Sequence, residues 1–138
     1  MGIKKLGHIG IAAAEGGGTV DFFVKYLSGA LSGRDEYPDM KQISSMVRVS
    51  GCPLEIMEPT GPDGVVGKYI AKHGQGIHHL SFEVEGIEAF AETLEADGIK
   101  IVGKQLDAPV KFMFIDPRCA GGVLIELYEP QTLQPNNK

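Results

Sequence analysis

In Gly76-Ile77-His78-His79-Leu80-Ser81-Phe82-Glu83-Val84, a glycine break precedes a run in which side chains alternate, the pattern of a β-strand. Alternation puts His79, Ser81 and Glu83 on one face and Leu80, Phe82 and Val84 on the other. An imidazole therefore stands on the more polar face of a strand whose opposite face can bury. The stretch has a twin near the start of the chain, Leu6-Gly7-His8-Ile9-Gly10-Ile11-Ala12. A second pair of similar strands is Pro53-Leu54-Glu55-Ile56-Met57-Glu58-Pro59 and Val123-Leu124-Ile125-Glu126-Leu127-Tyr128-Glu129-Pro130. From His8 to Glu55 and from His79 to Glu126 is the same 47 positions. The chain reads as one module written twice, each copy with a histidine on its first strand and a glutamate on its last.

The elements between these strands repeat as well. In the first copy, Val20 to Leu27 has helical spacing behind Thr19 as its expected N-cap, with Gly29 and Gly33 as its stop. Strands are expected over Ser32 to Tyr37, Met40 to Ser50 and Leu54 to Glu58. Pro59-Thr60-Gly61-Pro62-Asp63-Gly64 has linker composition, and Val65 to His73 reads as a short helix within that connection. In the second copy, Ile87 to Ala96 is an amphipathic helix closed by Asp97-Gly98, followed by strands at Ile99 to Val102, Val110 to Ile115 and Val123 to Tyr128. The expectation is an α+β fold of two tandem βαβββ modules, about 5–60 and 76–130, whose curved mixed sheets form a cup within one domain. Residues 131–138 are polar and aperiodic and read as a flexible tail.

Composition removes several function classes. At 138 residues the chain can bury a real core, whereas each half of about sixty is small for independent folding. The net charge of −5 and the lack of a basic run argue against nucleic acid as a partner. No apolar stretch reaches the ~20 residues that span a bilayer, and the start of the chain has no signal-peptide pattern. Cys52 and Cys119 lack CxxC spacing and read as reduced thiols of a cytoplasmic protein. Open edges on curved sheets favour a homodimer.

Glu55 and Glu126 each sit inside an apolar strand, and a carboxylate there cannot stay charged and dry without a partner. If the two copies pair about a pseudo-twofold axis, His8, Glu55, His79 and Glu126 converge. One divalent cation satisfies all four and leaves two of six positions for water or substrate oxygens. Each residue alone has a plainer reading, a hydrogen-bonded rim histidine or a solvent-facing edge glutamate; the equal spacing raises the set above it. His78 is read as structural or as a support to the ligands, and His73 as a surface residue near a helix end.

The quoted stretches, together with Asp116-Pro117 and the run from Gly122 to Leu127, resemble the vicinal-oxygen-chelate (glyoxalase/bleomycin-resistance/dioxygenase) superfamily. Within it, the similarity from about Leu6 to Pro130 is greatest to the methylmalonyl-CoA epimerases. The resemblance implies paired βαβββ modules around a divalent metal (Co, Ni, Mn, Zn or Mg) held by His8, Glu55, His79 and Glu126. It implies an acyl-CoA thioester substrate whose two vicinal oxygens meet the metal, and proton removal alpha to the thioester carbonyl, with Glu126 as one base. The epimerases carry a second catalytic glutamate on the third strand of the first module. The matching position here is Ser44, or Gln42 in a shifted register, and neither acts as a strong base at neutral pH. The glycine-rich first turn and the Gly29 to Asp39 segment also depart from the family pattern. Two alternatives remain within the superfamily. One is a lactoylglutathione lyase, which uses four such ligands; the other is a metal-free binding module of the bleomycin-resistance type. The dioxygenases and fosfomycin-modifying transferases lack the second ligand, so Glu55 counts against both.

Overall fold

The structure, a computed structural model, describes residues 1–131; residues 132–138, most of the expected tail, lie outside the described residues. Each copy runs strand, helix, then three strands. The first comprises β1 (Gly2–Ala12), α1 (Gly16–Tyr26), β2 (Ala30–Tyr37), β3 (Gln42–Val49) and β4 (Cys52–Pro59). Helix α2 (Val65–His73) follows. The second copy comprises β5 (Gly76–Glu85), α3 (Ile87–Ala96), β6 (Ile101–Gln105), β7 (Val110–Ile115) and β8 (Ile125–Pro130). The chain divides into two compact units, His8–His79 and Met1–Gly7 together with the chain from Leu80 onward.

In the His8–His79 unit the strand order is β2-β3-β4-β1. β1 runs parallel to β4, and β3 is antiparallel to both β2 and β4. One face carries Val47, Leu54 and Ile56, which close with Ala13 and Val20 into a core against α1. The other face carries Ala12 and Met57, which pack with Val66 of α2 and with Tyr69 and Ile70 beside it. Helix α1 differs from the sequence expectation at both ends. It starts at Gly16 after Glu15, with no side-chain cap, and Thr19 lies inside it, where its hydroxyl donates to the Glu15 carbonyl over 3.4 Å. Three glycines are poor helix formers, so burial of Gly16 and Val20 carries this first turn. The left-handed residue that ends the helix is Ser28, with φ of 55°, while Gly29 is needed because a side chain there would strike the Phe23 carbonyl and Val47.

In the other unit the order is β5-β8-β7-β6, again with one parallel pair and two antiparallel ones. Val84, Ile87, Ala91, Met113 and Leu127 form its core beneath α3. Strand β6 begins at Ile101, two residues later than the periodicity suggests, because Ile99 is taken up by the helix end, where its N–H bonds to the Leu94 carbonyl. At the start of α3 no side chain of the preceding residues caps the helix. Glu129 of β8 does so instead, its carboxylate accepting from the N–H groups of Gly86 and Ile87 at 3.1 and 3.0 Å.

The two copies share a register. Ile9, Gly10, Ile11 and Ala12 pair with Leu54, Glu55, Ile56 and Met57; Leu80, Ser81, Phe82 and Glu83 pair with Ile125, Glu126, Leu127 and Tyr128. The same 71-residue offset that separates His8 from His79 relates every one of these pairs. The equal spacing of the His and Glu residues is thus a consequence of equal strand pairing in each copy.

Candidate functional site

Parity and register place His8 and Gly10 of β1, Glu55 and Met57 of β4 and Ser44 of β3 on the face of their sheet opposite α1. His79, on the first residues of β5, lies over that face. His8, Glu55 and His79 each direct one ligand atom to a common point, all within 4.8 Å of one another. His8 Nε2 is 3.0 Å from His79 Nε2 and 3.1 Å from Glu55 Oε1, and His79 Nε2 is 3.9 Å from Glu55 Oε1. Gly10 makes this possible: a side chain there would occupy the space of the His79 ring.

The donor set fits a divalent cation. Two atoms each about 2.1 Å from one ion, at right angles to it, are about 3 Å apart. Two of the three separations have that value. His8 Nε2 carries at most one hydrogen, yet it faces both a carboxylate oxygen and a second imidazole nitrogen. Three ligand atoms turned to one point suit a cation.

The electrostatics agree. Burial pushes the His79 imidazole down to about 4, reinforced by His8 and His78 and opposed by the Glu55 charge. Burial also lowers His78. For Glu55, burial works upward, but the hydrogen bond and charge of His8 and the nearby Ser44 hydroxyl outweigh it and hold the carboxyl below its usual range. A neutral His79 imidazole beside an ionised Glu55 carboxylate is the pairing a metal requires. These shifts also set the acid behaviour of metal-free protein. With His79 at about 4 folded and about 6.5 unfolded, the unfolded chain binds an extra proton between those values. Stability is therefore expected to fall as pH drops from 6.5 to 4, on the order of 2–3 kcal/mol, with Glu55 adding to the loss lower still. Urea titration of metal-free protein across this range checks it; a flat profile contradicts a neutral, buried His79.

Gln42 and Ser44 are both buried, and Gln42 Nε2 donates to Ser44 Oγ over 2.8 Å. Glu126 belongs to the other unit, at the register position that Glu55 holds in the first copy. There it accepts a 2.8 Å hydrogen bond from the fully buried Ser81. Burial and the carboxylates of Glu83 and Glu126 raise the Tyr128 phenol on the same strand. Three contributors were not identified from sequence. Gly10 and Ser81 occupy equivalent positions on the site-bearing face, and that parity was the available signal. The third is the contact itself between the His78 and His79 rings: the sequence reading gives His78 a structural or supporting role, but alternation sends adjacent side chains to opposite faces and gives no signal for that contact.

A family model described as the glyoxalase/bleomycin resistance protein/dioxygenase superfamily matches residues 7–114. The chain belongs to this superfamily. Its mixed α+β fold, with eight strands and three α-helices among the described residues, is the fold of that family. Among relatives, an uncharacterized Bacillus subtilis protein, YqjC, is 28% identical over 137 residues, covering 97% of this chain and 98% of that one. The mitochondrial methylmalonyl-CoA epimerase of Dictyostelium discoideum is 26% identical over 133 residues, covering 94% and 80%. Among solved structures, methylmalonyl-CoA epimerase from Mycobacterium tuberculosis superposes with a TM-score of 0.81 at 29% identity, covering 94% of this chain and 90% of that one. A Streptomyces coelicolor methylmalonyl-CoA epimerase variant in complex with 2-nitronate-propionyl-CoA gives 0.81 at 25%, covering 94% and 99%. No helix among the described residues is long and apolar enough to cross a membrane.

Proposed function

We propose that this superfamily member is a divalent-metal-dependent epimerase that moves a proton alpha to the carbonyl of an acyl-CoA thioester, in the manner of a methylmalonyl-CoA epimerase. The observation that carries the reading is the convergence of His8 Nε2, His79 Nε2 and Glu55 Oε1 on one point. Its similarity to methylmalonyl-CoA epimerases over nearly the whole chain supports the substrate class. A divalent cation would be held by His8, Glu55 and His79 and would supply positive charge where negative charge builds as the alpha proton leaves.

The remaining work falls to the chain itself. His79 presents a neutral nitrogen, and Gly10 leaves the room that its ring needs. Glu126 is assigned as the base: its carboxylate takes the alpha proton while the C–H electron pair moves into the enolate. Ser81 steadies that carboxylate by donating to Glu126 Oε1. The proton's return to the opposite face has no carboxylate on β3 to supply it. Ser44 there accepts from Gln42 and sits beside Glu55, so its part is to fix Glu55.

The test is a substrate panel on metal-replete protein: methylmalonyl-CoA, related 2-carboxyacyl-CoA thioesters and the methylglyoxal–glutathione adduct. Turnover of the thioesters alone is the expected result. Turnover of the adduct alone assigns the chain as a lactoylglutathione lyase, and tight ligand binding without turnover or metal makes it a binding module.

A further inference from the structure

His78 is a half-buried imidazole that the proposed chemistry does not use. Its Nδ1 lies 2.9 Å from Nδ1 of His79, with the rings nearly perpendicular at 88° and their centroids 5.1 Å apart. The ring of Tyr69 from α2 meets His78 edge-on, with centroids 4.5 Å apart. The Tyr69 hydroxyl donates to the Ile77 carbonyl at 3.2 Å and so ties α2 to the strand just before His78.

A neutral imidazole has one N–H and one lone pair. Only one hydrogen fits between the two Nδ1 atoms. If His78 donated it, the hydrogen of neutral His79 would sit on Nε2, facing His8 and Glu55, and His79 could not ligate. If His79 donates it, the Nε2 lone pair points to the cluster. We infer that His78 is a positioning residue for His79: its Nδ1 accepts the hydrogen on Nδ1 of His79, fixing both the tautomer and the ring plane that present Nε2 to the metal. This rests on the metal reading given under the proposed function. A partner on the outer nitrogen of a ligating histidine commonly adds 10- to 100-fold to metal affinity. Here that partner is another imidazole, itself braced by Tyr69.

The test compares His78→Asn with His78→Leu. The Asn Oδ1 stands where Nδ1 stood and can accept the same hydrogen; Leu fills space without an acceptor. Cobalt(II) affinity of the full chain is measured by competition with a chromophoric chelator, and the visible spectrum of bound cobalt reports the ligand field. Metal-free melting is followed alongside. His78→Leu is expected to weaken cobalt binding by about 10- to 100-fold and alter the spectrum. His78→Asn is expected to recover most of that loss. Tyr69→Phe keeps the acceptor and is expected to keep the affinity. Equal losses in Asn and Leu, or wild-type affinity in both, overturn the role of His78. Should His78→Leu fail to fold, a His78→Asn protein that folds but binds as weakly as His79→Ala overturns it as well. If wild-type protein binds cobalt while the His78 variants bind equally well, only this inference falls; if wild-type protein binds none, the metal reading falls with it.

Discussion

Glu126→Gln is expected to lower turnover on a 2-carboxyacyl-CoA thioester by about 10²- to 10⁴-fold, the range for loss of a general base. Ser81 Oγ donates to Glu126 Oε1, and a glutamine oxygen accepts that hydrogen bond equally well. The pairing of Ser81 with Glu126 in the parallel β5–β8 ladder involves backbone only. Stability is thus expected to stay within about 1 kcal/mol of wild type. Steady-state kinetics separate the outcomes. A fall in kcat with KM nearly constant is the signature of a lost proton acceptor, whereas a rise in KM alone means that Glu126 only binds substrate. Retained kcat removes Glu126 from the proton transfer.

Gly10→Ala is expected to disable the metal site without replacing a ligand. The added methyl would fall among the ring atoms of His79. That ring has little freedom to yield: it is 6% exposed, with Nε2 against His8 and Nδ1 against His78. Overpacking of this kind costs about 1–3 kcal/mol. The displaced His79 cannot keep Nε2 3.0 Å from His8 Nε2, so metal affinity is expected to fall by at least about 10²-fold, comparable to losing a ligand's support. Gly33→Ala is the control, since nothing lies near a side chain there. Calorimetric metal titration of the two variants checks this. Wild-type affinity in Gly10→Ala contradicts the placement of His79 over Gly10.

Much of the fold was legible because two periodicities agreed. Alternation marked β1, β4, β5 and β8, and the equal His–Glu spacing marked the duplication, which the structure expresses as identical registers of Gly10 with Glu55 and Ser81 with Glu126. The same parity sent Glu55 to the face opposite Val47, Leu54 and Ile56, where His8 and His79 meet it. Elsewhere tertiary packing overrode local signals. Helix α1 opens on three glycines because Val20 and Gly16 are buried, not because the sequence favours a helix there. Strand β2 is exposed along almost its whole length and so carries little alternation; its ladder with β3 defines it. The cap on α3 comes from Glu129, more than forty residues away along the chain, beyond the reach of any local motif. In the site, identities and faces could be read, but contacts made by ring rotation could not, as His78 and His79 show.

Deuterium exchange at the alpha carbon of methylmalonyl-CoA in heavy water tests the central claim most directly, since it registers proton removal whether or not a second base completes the inversion. Metal-replete protein is expected to incorporate the label rapidly, and chelated protein to incorporate it at the uncatalysed rate. Label uptake that is unchanged by chelation, or no uptake with metal bound, contradicts the account.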